Sequence, residues 1–126
     1  DTSLSIKPAL LVLPESKNRS IGKLTSHMDV QPTLIKRWLS CDIEAKSYSN
    51  GTDIKKLSND RIIANTMDNG IVIFNKDKSM FVDQNGNFQS YSIQLTAPIT
   101  AKPDFPLMID GVHFIKQFSK QGNNVQ

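Results

Sequence analysis

The chain carries one cysteine, Cys41, in 126 residues. No internal disulfide can form, so the fold rests on packing and hydrogen bonding, and the absence of disulfides suits cytoplasm and periplasm alike. Histidine is nearly as scarce: His27 and His113 are the two copies, and with a single cysteine they give no zinc-ligand spacing. Long apolar runs are also missing. None reaches the roughly 18 residues of a membrane span, and the start lacks a basic region followed by an apolar core, so no signal peptide is expected. Aromatic residues are only 7% of the chain. Without a stacking motif or a helix-turn-helix signal beside them, nucleic acid is not an expected partner.

What is present describes an ordinary globular piece. Hydrophobic residues make up 38%, and 15 Lys and Arg oppose 12 Asp and Glu for a net charge of +3. That length and apolar content suffice for one core. The basic residues, among them Lys17, Arg19, Lys23, Lys36, Arg37, Lys55, Lys56 and Arg61, are dispersed. Dispersed charge reads as a solvated surface with a weak preference for anions.

Apolar periodicity supplies the elements. Lys7 to Pro14 is a short apolar run closed by prolines, and it predicts a buried strand over Ala9 to Leu13. In Thr25-Ser26-His27-Met28-Asp29-Val30-Gln31-Pro32, Asp29 is placed to cap a helix whose first turn accepts Pro32. Val30, Leu34, Ile35, Trp38 and Leu39 then form a stripe predicted to cover one side of a sheet. The helix is expected to end near Cys41, itself read as a small buried residue. Residues 42 to 60 are polar, turn at Asn50-Gly51, and read as a connecting loop. Beyond Arg61 the period becomes that of strands: Arg61 to Met67, Gly70 to Asn75, Ser79 to Asp83 and Asn87 to Ile93, an antiparallel meander with Asn, Asp and Gly at its turns. Residues 94 to 104 read as irregular. A last helix is predicted from Phe105 to Lys120, capped by Asp104, with Met108, Val112, Ile115 and Phe118 or Ser119 on one face and Gly122-Asn123-Asn124 at its end. The isolated chain is therefore expected to be α+β.

Two residues stand out as candidate site residues. His27 and Asp29 form a His-x-Asp pair at a strand-to-helix junction, where α/β chains often place ligand-binding groups. A metal site needs three or four convergent ligands and the pair supplies two, so His27 reads as a metal or substrate contact or, more simply, as a fixing point for the loop, and Asp29 as a cap more than a ligand. His113 reads as a partly exposed helix residue. No spacing singles out a nucleophile, base and orienter, so no catalytic and no metal residue is assigned. Asn18-Arg19-Ser20 and Asn50-Gly51-Thr52 match the glycosylation pattern, a triplet that chance produces often.

Taken in order, the apolar strand ending in proline, the polar loop, Thr25-Ser26-His27-x-Asp29, Thr33-Leu34 and the helix, then Tyr48-Ser49-Asn50-Gly51-Thr52-Asp53, the strand from Arg61, Ile71 to Phe74 and Phe81 to Tyr91, resemble a known pattern. The chain resembles, over residues 7 to 118, the C-terminal part of the sulfatase-like domain of YejM/PbgA-type inner-membrane proteins, within the sulfatase/alkaline phosphatase superfamily. The resemblance implies residues 1–45 as the last strand and helix of an α/β core, 46–60 as a connecting loop, and 61–126 as a small meander subdomain with a C-terminal helix. It also implies a parent on the periplasmic side of the Gram-negative inner membrane, acting in lipopolysaccharide and lipid homeostasis. The implied partners are the remainder of the domain and, through the parent, membrane lipid or lipopolysaccharide. Hydrolases of the superfamily build a divalent metal site from an early acidic residue, a Thr, Ser or Cys nucleophile and an adjacent Asp-His pair. This chain has no Asp-His dipeptide, so it is expected to bind no cofactor itself and to be inactive alone, any divalent metal belonging to the parent upstream of Asp1. The alternatives are part of a metal-dependent sulfatase, phosphatase or phosphoethanolamine transferase, and a stand-alone binding module.

Overall fold

Asn, Asp and Gly gather at residues 68–70 and 84–87, and at both places the chain reverses. The computed structural model describes residues 10, 11, 17, 19–92 and 98–119, with the side chains of 118 and 119 left aside. It contains two α-helices, α1 (Val30–Arg37) and α2 (Phe105–Ser119), and five strands: β1 (Ile63–Met67), β2 (Gly70–Phe74), β3 (Lys78–Asp83), β4 (Phe88–Ser92) and β5 (Pro98–Ile99). The strands form one antiparallel sheet in the order β1-β2-β3-β4-β5. The fold is α+β. It divides into two compact units, one within Pro8–Asn59 and one within Asp60–Gln126.

In the second unit the period-two pattern sets the register. Ala64 lies opposite Ile73, Ile73 opposite Met80, Met80 opposite Ser90, and Ser90 opposite Ile99, one row across all five strands. Asp83 closes the β3–β4 reversal. Its carboxylate accepts from the Asn85 and Asn87 N–H groups and from the Asn87 side-chain amide, and the Asn87 side chain is the main reason its carboxyl is held below the usual range. Gly86 takes a φ of 82° there, a left-handed value that glycine adopts without steric cost. β5 corrects the irregular reading of residues 94–104. Pro98 lacks an N–H, and it is tolerated because β5 is the edge strand. The predicted ends of the meander near Ile93 and of the last helix near Lys120 lie outside the described residues.

α2 begins as its sequence indicates. Asp104 Oδ1 accepts from the Leu107 N–H at 3.1 Å, and Lys78 Nζ on β3 lies 2.6 Å from Asp104 Oδ2. The inward face, however, is rotated from the one expected. Leu107 and Gly111 are its buried centre, with Met108, Phe114 and Ile115 packed around the Ala64, Ile73, Met80 and Val82 core. The reason is steric: a Cβ on Gly111 would overlap Cδ1 and Cγ1 of Ile73. The helix comes closest to the sheet where it has no side chain, a position that a hydrophobicity pattern gives no weight.

Two outcomes follow from this packing. Gly111→Ala should gain about 1 kcal/mol of helix propensity but lose more, since crowding a packed core costs about 1–3 kcal/mol. Adding Ile73→Val, which removes Cδ1, should recover part of the loss, giving a coupling of at least about 0.5 kcal/mol in urea unfolding; strict additivity would refute the close-approach account. Asp104 has its carboxyl lowered first by the Lys78 hydrogen bond and next by the Leu107 N–H. Its contribution is therefore fully present above the unfolded carboxylate value of about 3.9 and is lost as pH falls through the lower folded value. Wild type and Asp104→Asn should differ in stability by a constant amount near neutral pH and converge in acid.

Candidate functional site

Ser26 is extended, with φ −135° and ψ 159°, and caps a 3-10 turn at His27–Asp29. Its hydroxyl accepts from the Met28 N–H at 3.4 Å, while Asp29 Oδ2 accepts from the Ser26 N–H at 2.8 Å. This is a reciprocal capping box. Asp29 holds the N-cap position of α1 as expected, but it is already helical and its side chain makes no cap bond to α1; the carboxylate reaches backward to Ser26 instead of forward. Its other oxygen, Oδ1, accepts from the Thr52 N–H at 2.8 Å. Asp29 is 1% exposed.

Around this carboxylate the segment 49–54 is tied to the start of α1. Thr33 Oγ1 donates to the Asp29 carbonyl at 2.6 Å and accepts from the Ile54 N–H at 3.0 Å. Ser49 Oγ donates to the Met28 carbonyl and accepts from the Gly51 N–H. Gly51 lies against the same carbonyl so closely that a Cβ would overlap the Met28 oxygen. Asp53 is buried, caps a 3-10 turn at Ile54–Lys56 through the Lys55 N–H, and lies 2.6 Å from Arg37 Nη2 as an ion pair without a directed hydrogen bond. The stretch expected to be a mere connection is thus half of the node.

The consequence for α1 is an inverted helix. Asp29, Pro32 and Thr33 face inward, because the backbone N–H groups of Thr52 and Ile54 need acceptors and find them there. The expected stripe faces the other way: Val30 is 41%, Trp38 61% and Leu39 60% exposed, with Leu34 and Ile35 half-buried. That corrects the reading of a stripe covering a sheet. The predicted strand over Ala9 to Leu13 falls mainly outside the described residues; Leu10 and Leu11 are not in a strand, and Leu10 is 90% exposed. α1 also stops earlier than expected. The Trp38 and Leu39 N–H groups both donate to the Leu34 carbonyl, Ser40 turns left-handed at φ 54°, and the Cys41 N–H returns to the Ile35 carbonyl. This turn carries Cys41 off the helix and leaves it exposed, not buried.

His27 is exposed in the 3-10 turn, while Asp29, two residues on, is buried as an acceptor of backbone hydrogen bonds. The pair therefore does not converge on one opening. Among the described residues no group of three or more His, Cys, Asp or Glu could hold a metal ion, and no helix is long and apolar enough to cross a membrane. Sequence reasoning missed Thr33, Ser49, Gly51, Asp53 and Arg37. The Ser26-x-x-Asp29 spacing and the Asn50-Gly51 turn were the available signals for part of the node. No protein-family model matches the chain, and a search of curated proteins finds no match.

The node makes Asp29→Ala more damaging than loss of one cap. Two partly buried N–H groups lose a charged acceptor, so the cost should be about 2–4 kcal/mol against about 1 kcal/mol for a simple N-cap. Faster hydrogen exchange should centre on Ser26 and Thr52, with and without chelator. A loss that appears only when divalent metal is present would instead make Asp29 a ligand.

Proposed function

We propose that the chain is a non-catalytic, structural C-terminal part of a sulfatase-like domain in an inner-membrane protein of the YejM/PbgA type. It faces the periplasm of a Gram-negative bacterium and serves lipopolysaccharide and lipid homeostasis through the parent protein. The observation that carries this reading is the inverted helix. The outward apolar residues Val30, Trp38 and Leu39, with Ile43 at 59% exposure, offer apolar surface for a partner to cover. The remainder of the sulfatase-like domain is the partner that the resemblance supplies. The buried side of the same helix is spent on backbone hydrogen bonds, which suits a part that holds shape more than one that performs chemistry. Any divalent metal of the parent would be bound by residues outside this chain.

Cys41, exposed two residues beyond Leu39, reports on the contact. A maleimide should label it rapidly in the isolated chain and much more slowly in the longer protein in membranes; equal rates would refute coverage of this face. Deleting the segment from the longer protein should change cellular lipopolysaccharide content, and unchanged content with the remainder still present would refute the role. The purified chain should not hydrolyse aryl sulfate or aryl phosphate esters with Mg, Mn or Zn. Hydrolysis that tracked the chain through purification would overturn its non-catalytic assignment.

A further inference from the structure

The dipeptide Asn-Gly occurs at Asn50-Gly51, Asn69-Gly70 and Asn85-Gly86, each time at a turn or bend of the backbone. Glycine has no side chain to hinder its neighbours, so its nitrogen can swing onto the Cγ of the preceding asparagine wherever the surrounding backbone lets the peptide rotate. At two of the sites it cannot. Gly51 is buried, its N–H donates to Ser49 Oγ at 2.9 Å, and a Cβ there would overlap the Met28 carbonyl. Gly70 begins β2, where a Cβ would overlap the Val82 carbonyl oxygen, and the Asn69 carbonyl is held by the Gln84 N–H at 3.0 Å. The third site is open. Asn85 and Gly86 are exposed, and outside the adjacent residues no heavy atom lies within 4 Å of where a Gly86 Cβ would stand. The Gly86 N–H donates to the Asp83 carbonyl at 3.1 Å, a turn bond at the surface that must open before the nitrogen can react.

We propose that Asn85 is a modification site, where spontaneous deamidation forms isoaspartate and loosens the turn that Asp83 closes. The Gly86 nitrogen gives its proton to solvent and attacks Asn85 Cγ. The new N–Cγ bond closes a succinimide ring as the Cγ–Nδ2 bond breaks, and Nδ2 leaves as ammonia. Water then opens the ring. Attack at Cγ leaves an ordinary aspartate, whereas attack at the main-chain carbonyl carbon leaves the chain running through the side chain as isoaspartate, longer by a methylene. In sum a water is consumed and an ammonia released, with nothing oxidised or reduced. The added methylene falls between two groups that share an acceptor: Asp83 Oδ1 accepts from the Asn85 and Asn87 N–H groups at 2.8 Å each, and Oδ2 accepts from Asn87 Nδ2 at 2.9 Å. Lengthening the chain there draws Asn87 off the carboxylate, and the new carboxylate sets a like charge beside Asp83. The joined end of β3 and β4, where the Asp83 N–H donates to the Asn87 carbonyl at 2.9 Å, loses its support.

Ageing the full chain in mildly alkaline buffer, then mapping its peptides with an isoaspartyl methyltransferase as reporter, tests this. Isoaspartate should accumulate at Asn85 at least about tenfold faster than at Asn50 or Asn69, which react only through local opening. In guanidinium chloride the three sites should react at similar rates, because they share the same dipeptide. Asn85→Gln should remove the fast signal while keeping the wild-type circular dichroism. Hydrogen exchange reads the effect on the turn: the isoaspartate-containing chain should lose protection at the Asn87 N–H, whereas Asn85→Asp, which adds the charge without lengthening the backbone, should keep most of it. Equal rates at the three sites in the folded chain, faster reaction at Asn50 or Asn69, or no reaction at Asn85 would overturn the site. Wild-type protection in the isoaspartate-containing chain, or an equal loss in Asn85→Asp, would overturn its effect on the turn.

Discussion

The Asp29 carboxylate organises the Pro8–Asn59 unit. Each of its oxygens accepts a backbone N–H, one from Ser26 on the approach to the helix and one from Thr52, 23 residues later. A buried carboxylate is costly unless its lone pairs are met by donors, so the site is stable only when both segments are in place. Thr33 repeats the logic one turn on by donating to one segment and accepting from the other. Gly51 then follows from the closeness of the two backbones. Helix orientation is a consequence: with polar acceptors demanded inside, Val30, Trp38 and Leu39 are turned to solvent and Leu34 and Ile35 are left half-buried.

In the Asp60–Gln126 unit a different constraint rules. The meander is built from local contacts, with hairpin reversals closed by Asp83 and Gly86 and by the short Asp68-Asn69 link. Its core then depends on how near α2 can come, and that distance is set by Gly111 above Ile73. Lys78 and Asp104 fix where the helix begins, and the edge strand β5 ends the ladder at a proline. The row Ala64, Ile73, Met80 and Ser90 is buried, while Phe88 and Ile99 beside it are partly exposed.

Both units thus leave apolar side chains outward for a reason that can be named. On α1 the cause is competition for the inward face by hydrogen-bonding groups. In the second unit the outward side is that of α2 opposite its buried Leu107 and Gly111, where Phe105 and Ile109 are exposed. At the Asp29 node the Asp29 and Asp53 carboxylates are met by backbone N–H groups and by Arg37, and the proposed structural role in a larger membrane-anchored protein is built on the outward apolar side chains.

The sequence by itself determined the elements that depend on near neighbours. Period-two runs between Asn, Asp and Gly clusters located β1 to β4 within a residue or two, and Asp104 followed by Pro106 marked the start of α2, because turn and cap chemistry acts over a few residues. The α+β class follows from those elements. What the tertiary structure decided was which face each helix buries: the expected stripe of α1 is largely outward, and on α2 Met108 and Ile115 pack against the core as expected while the buried centre lies at Leu107 and Gly111. On α1 the Thr52 and Ile54 N–H groups, 19 or more residues beyond Thr33, outcompeted the apolar stripe. On α2 the closest approach fell on a residue with no side chain. Cys41 was misplaced because Ser40 turned left-handed, and β5 went unseen because a two-residue strand exists only by virtue of the partner it pairs with.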